Sequence, residues 1–370
     1  MGLIKWIFII AVILVVGVVI LGSLDNEGND NNPLPNNGNG NNGNTTPTPS
    51  GVNWEEVRAN SIAKVSSDFK EPKYIPISSE GWEDSEYISQ DGNTLYFIYI
   101  NLDLLELPKV VFVGPNRDPQ GSCKNGVSCG YVSAKSQRGD TFYSTKLGDN
   151  SWSTPKPHPL TLDEPVHGIV FVNDNKAYFH KEGAQPDTTN IYYSEKINGG
   201  WSEHKEVIVV NSKYREDDVY VNPSDDKMLF WSTRPDSFGK KNIYYSEKIN
   251  GEWQAPVLMP EPINSNEDDM HPFLFDKTLN SNRDSPILSE SNTLYFSSGR
   301  TDGKLRIYRS TLLSGGISTG TWSQPEIIIE SNFAVGEPTL PTDGSRLYFL
   351  QIFNSGTGKY TADLMYVEKK

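Results

Sequence analysis

Two stretches of this chain are nearly the same: Asn190 to Trp201 reads NIYYSEKINGGW and Asn242 to Trp253 reads NIYYSEKINGEW. Agreement over so many positions marks an internal duplication, and a repeat of this size is one supersecondary unit that must stack on its copies to hide its apolar faces. Weaker copies flank the pair. A turn carrying Asp, Asn or Gly leads into a short strand with paired aromatics in SQDGNTLYF, FVNDNKAYF, PSDDKMLFW, SESNTLYFSS and PTDGSRLYF. A second Tyr-rich strand follows each, and then a turn ending in Trp152, Trp201, Trp253 or Trp322. The last copy stops at Lys370, before any such turn.

β-Branched and aromatic residues alternating with polar ones, separated by Asn-Gly or Asp-Gly turns, make each unit an antiparallel sheet. Stacked radially, such sheets give an all-β fold, a β-propeller of five four-stranded blades, or six if Glu55 to Glu80 supplies a degenerate one. The tryptophans are expected to fill the wedges between blades rather than to form a carbohydrate platform. Asn53-Trp54 resembles the turn that the last copy lacks, so the segment from Val52 is expected to complete that blade and close the ring. Closure removes exposed sheet edges.

Ahead of the repeats, Lys5 precedes an unbroken apolar run from Trp6 to Leu21, long enough to cross a bilayer. Asp25, Glu27 and Asp30 follow it, so the positive-inside bias places the rest of the chain outside the cytoplasm. A cleaved signal is the other reading, with Gly22 and Ser23 a poor exit site. Residues 1–23 are thus expected to be a transmembrane signal anchor, 24–51 an Asn-, Gly-, Pro- and Thr-rich disordered linker, and 52–370 the propeller. The linker holds a glycosylation sequon at Asn44. A net charge of −14 with no basic stripe excludes a nucleic-acid surface.

The run INSNEDDMHPFLF followed by LSESNTLYFSSGRTDGKLRIYRS resembles the WD-like "Pro-Asp" propeller repeat of TolB-type periplasmic proteins and of related envelope proteins. GEPTLPTDGSRLYF and INGGWSEH carry similar elements, so the resemblance covers roughly residues 80 to 370. It implies a protein-binding or surface-scaffold role, though the repeat also decorates some peptidases, and fold alone does not fix function. Two excursions depart from the pattern, Tyr99 to Arg138 and the stretch between Phe275 and Ser289.

Aligning the units places His167, His271 and Glu337 at equivalent positions at the start of each blade's first strand, with Asp84, Glu164, Asp217, Asp218, Asp268 and Asp269 just before. Innermost strands surround the channel of a propeller, so these are the ligand-binding candidates. No cofactor is expected, a calcium ion being the cation that such an acidic mouth would suit. Strand-entry pairing with a neighbouring backbone is the structural alternative. Cys123 and Cys129, flanking an Asn-Gly turn, are expected to form a disulfide outside the cytoplasm. His158, His180 and His204 fall at loops or strand ends and read as surface residues. No Gly-x-Ser-x-Gly or His-Glu-x-x-His motif is present, and no single carboxylate pair is selected. The expected function is therefore binding of a protein or glycan partner at the cell envelope, with a propeller-fold glycan-processing hydrolase as the alternative.

Overall fold

A computed structural model of the chain describes residues 52–78, 82–100, 140–161, 166–183, 188–235, 238, 240–276, 292–357 and 360–370. The N-terminal apolar run, the linker with Asn44, Cys123, Cys129, Glu164 and the stretch 277–291 lie outside these residues. Among the described residues no helix is long and apolar enough to cross a membrane.

Each of the first four repeats folds into an antiparallel sheet of three long strands and a short, broken outer strand. In blade three these are Glu216–Val221, Lys227–Ser232 and Asn242–Ile249, with Glu252–Trp253 and Val257–Leu258 outermost. The inner strands Trp82–Ile88, His167–Asn173, Glu216–Val221, Asp269–Phe275 and Ala334–Thr339 each pack on the next, and the last packs on the first. The result is a closed β-propeller of five blades.

In blades two to five the second strands are sandwiched between neighbouring blades, so both of their faces are dry and the alternation expected of a half-exposed strand is lost. Met228, Leu229, Phe230 and Trp231 are successive residues of one such strand, and none is more than 1% exposed. The outer edge is held by one repeated bond. Hydroxyls of Ser144, Ser194, Ser246 and Ser310 donate to the carbonyls of Ser153, Ser202, Gln254 and Ser323 at 2.5, 2.9, 2.6 and 2.6 Å. Those acceptors follow the four tryptophans directly. Two of the tryptophans fill wedges as expected: Trp152 stands edge-on to Tyr348 of blade five, and the Trp253 indole donates to the Tyr178 hydroxyl of blade two at 3.2 Å.

Closure occurs at another place than Asn53-Trp54. Asn53 caps a helix, Trp54–Ser61, its side chain accepting the Glu56 N–H, and Trp54 is buried in the core. An Asn followed by two glutamates in the first turn is a helix start. The missing strand of blade five is Lys73–Tyr74, paired with Tyr360–Glu368, while Lys64–Val65 extends blade four. Arg58 pairs with Asp363 at 2.6 Å, and Gln351 bonds both Ala63 and Ser61, so the helix and the residues just after it are tied to blade five. This segment serves blades four and five and forms no sixth blade among the described residues.

Candidate functional site

Every inner strand carries a β-bulge, and in each the bulged residue is left-handed: Ser85 (φ 52°), Gly168 (59°), Asp218 (46°), His271 (49°) and Glu337 (58°). Left-handed backbone is uncommon for residues with a side chain, and here it recurs at one position of the repeat. The bulge brings these residues together around the axis as one ring. Behind each comes Glu86, Ile169, Val219, Pro272 or Pro338, and then Tyr87, Val170, Tyr220, Phe273 or Thr339. The last layer floors the site. The Tyr87 and Tyr220 hydroxyls donate to the carbonyls of Phe171 and Leu274 at 3.0 and 2.6 Å.

Three blades give the ring its charge. His271 Nε2 lies 3.2 Å from Asp218 and 3.9 Å from Glu337. The Ser297 hydroxyl accepts the Glu337 N–H at 3.2 Å and lies in hydrogen-bond contact with His271 Nδ1 at 2.9 Å. Asp218 also accepts from the Trp231 indole. Burial opposes ionisation of Asp218, but the His271 and His180 imidazoles and the Trp231 N–H outweigh it and hold this carboxyl below the usual range. Glu337 goes the other way: burial first, then the neighbouring Asp84 carboxylate, push it well above the usual range. Glu86 is raised by the same two causes in the same order.

Glu86 differs from its four counterparts. Where blades two to five place Ile169, Val219, Pro272 and Pro338, blade one places a carboxyl whose two oxygens are buried and accept no hydrogen bond within the described protein. Its backbone N–H donates to Glu337 at 3.3 Å. Blade two contributes no side chain, because a Cβ at Gly168 would stand 2.9 Å from the His180 ring. That imidazole accepts the Asp218 N–H at 3.3 Å instead.

Of the candidates read from sequence, Asp84, Asp218, His271 and Glu337 meet at the ring. His167 does not. The bulge in blade two falls one residue later, at Gly168, and His167 packs edge-on against His180. Asp217 is buried against Arg215 at 2.9 Å and His180 at 3.3 Å. Asp269 is held by Arg300 at 2.7 Å and by Ser265, and Asp268 faces Lys241 at 4.0 Å. Asp217 and Asp268 thus link neighbouring blades, and Asp269 holds the entry loop of blade four. His158 and His180, expected at the surface, are buried at 8% and 1% exposure, because neighbouring blades cover them with aromatic rings and with Asp217. Ser85, Glu86, Trp231 and Ser297 carried no sequence signal beyond their place in the repeat. Among the described residues no group of three or more His, Cys, Asp or Glu side chains is arranged to hold a metal ion.

The cavity within the ring measures about 50 Å³. A single water needs about 10–15 Å³ by this measure and organic-ligand pockets span about 300–1,000 Å³, so the ring admits a few water-sized groups and excludes a sugar ring.

No family model matches the chain, and no curated protein does. Among solved structures it is similar to an α-L-arabinofuranosidase from Lactobacillus brevis, with 13% identity over 79% of this chain and 91% of that one, at a TM-score of 0.45. An endo-arabinase from Bacteroides thetaiotaomicron is similar at 13% identity, 80% and 97% coverage and a TM-score of 0.46. For an α-L-arabinofuranosidase from Fusarium graminearum the values are 10%, 83%, 96% and 0.43. Likeness at this level says nothing of what the present chain binds or acts on.

Proposed function

We propose that the protein is an envelope-anchored binding module, a propeller of the TolB type held outside the cell membrane by its N-terminal apolar run, whose axial ring takes a cationic nitrogen from a partner. The observation that carries this reading is Glu86, a buried carboxyl lining the cavity of the ring, whose two oxygens have no hydrogen-bond partner among the described residues. Buried polar groups are nearly always bonded, so one that is not calls for a donor from outside. An ammonium head is about the size of a water molecule and supplies three donors. Asp218, held ionised, and Asp84 supply further acceptor capacity around it.

Titration of the full-length protein with N-acetyl-lysine methylamide, followed by calorimetry, tests the reading. Binding is expected, at least tenfold weaker in Glu86→Ala. It is also expected to strengthen from about pH 5 to pH 8, because the cation must displace the proton that burial keeps on Glu86. Absence of binding, or binding indifferent to Glu86, overturns it.

Glycan hydrolysis is the second reading. One observation favours it: Asp218 and Glu337 face one imidazole and are pushed to opposite protonation states, which is how a general acid and an ionised carboxylate are set apart. Against it stands the size of the ring. Turnover of aryl glycosides that is abolished in Glu337→Gln would decide for it.

A further inference from the structure

The repeat offers an internal control for each seam between blades. At the seam between blades two and three, the Tyr178 hydroxyl donates to Asp225 at 2.8 Å, and Lys176 and Lys248 grip the same carboxylate at 3.0 and 2.6 Å. Trp253 then donates to Tyr178, and the seam is shut; Tyr178 is 1% exposed.

The seam between blades one and two is built from the same positions and stands open. Tyr96 pairs with Tyr143 as Tyr178 pairs with Tyr193, and Trp201 matches Trp253. Thr94, however, occupies the place of Lys176, so the lysine that clamps the other seam is replaced by a short side chain. Lys196 lies over the Trp201 ring at 5.3 Å much as Lys248 lies over Trp253 at 4.7 Å, so the difference between the seams rests on Thr94. What remains is a cleft of about 930 Å³ with Tyr96, Tyr143, His158, Phe171 and Trp201 along it. Four of these rings, Tyr96, Tyr143, Phe171 and Trp201, are half-buried, and His158 is buried among them.

We infer that this open seam binds a neutral oligosaccharide, a second site that does not rest on the axial ring. The volume falls at the upper end of the range for organic ligands, far above what a single amine or ion requires. Partly exposed aromatic faces suit the apolar C–H faces of sugar rings, while Asp91, Asp174 and Lys196 at the edges suit hydroxyls. Both charge signs occur at the rim, and Lys196 already covers Trp201, so neither an anion nor a cation is selected. Burial keeps His158 uncharged at neutral pH.

Calorimetry and tryptophan fluorescence of the full-length protein with neutral tetrasaccharides of β-1,4-glucan, β-1,4-mannan and β-1,4-N-acetylglucosamine test the inference. At least one is expected to bind. Affinity is expected to fall at least tenfold in Trp201→Ala, and equally in Thr94→Lys, which restores the clamp toward Asp174. The Thr94→Lys variant should melt no lower than the parent, so its loss of binding is not a loss of folding. Glu86→Gln should leave sugar binding unchanged, which separates this site from the axial one. The inference is overturned if none of the three sugars binds, if binding survives both seam variants, or if Glu86→Gln abolishes it.

Discussion

The Glu86 backbone N–H donates to the Glu337 carboxyl at 3.3 Å, across the junction where blade five meets blade one. Ile88 repeats the link one layer down, its N–H reaching the Thr339 hydroxyl at 3.4 Å, and Thr342 reaches the Gln90 carbonyl at 2.8 Å. The ring is thus joined by inner-strand contacts at the same point where two carboxyls are buried side by side. Ionising either one there brings like charges together in a dry place.

Stability is expected to fall as pH rises because of Glu86. With a folded value held above the unfolded one, Glu86 keeps its proton when the unfolded chain has lost it. Its contribution is therefore full below the ordinary carboxyl range and is lost as pH rises through the folded value. Glu86→Gln cannot ionise. Calorimetric melting should show a flatter decline for this variant from about pH 5 to pH 8, and a higher Tm than the parent at the upper end. Parallel curves for the two proteins would contradict the assignment.

Arg300→Ala is expected to destabilise the domain by about 3–5 kcal/mol, because it leaves the Asp269 carboxylate buried without its charge partner. Arg300 also donates to the carbonyls of Pro262 and Ile263, so it staples the entry loop of blade four. Urea unfolding measures the loss. A loss below about 1 kcal/mol would mean that Asp269 is not structural and would return it to the list of ligand candidates.

Which features were legible follows from the range of the interactions that fix them. Duplication is local, so the paired aromatics and the Trp turns revealed the blades. His271 and Glu337 each precede a proline within the repeat, and both were aligned correctly. Gly168 was missed in favour of His167 because the position of a bulge depends on the partner strand, and in blade two that partner brings His180. The role of Glu86 is invisible in sequence, since nothing local distinguishes it from the other carboxylates near Asp84. His158 and His180 are buried by residues from neighbouring blades, contacts that no local pattern encodes.

Ile75→Ala is expected to weaken the whole propeller by about 2–5 kcal/mol, although Ile75 lies in the segment ahead of the first blade. The residue is 0% exposed, and its N–H bonds the Leu364 carbonyl at 3.0 Å, beside the Lys73–Tyr74 strand that completes blade five. If that segment closes the ring, unfolding stays a single transition and hydrogen exchange accelerates in distant blades as well. Acceleration confined to Tyr360–Glu368 would show the segment to be an accessory edge.

His158 carries the opposite pH dependence from Glu86. Burial among Tyr96, Tyr143, Phe171 and Trp201, with the Lys196 charge nearby, lowers its folded value to about 4, and the ring accepts the Leu160 N–H at 3.2 Å in its neutral form. The unfolded chain takes up the proton first, near the ordinary histidine value of about 6.5, so this contribution is intact above that value and is lost as pH falls toward the folded one. In NMR spectra the His158 imidazole signals should stay fixed from about pH 8 to pH 6 while an exposed histidine shifts. Movement of the His158 signals in that interval would mean that water reaches the ring and that the aromatic floor of the open seam is charged near neutrality.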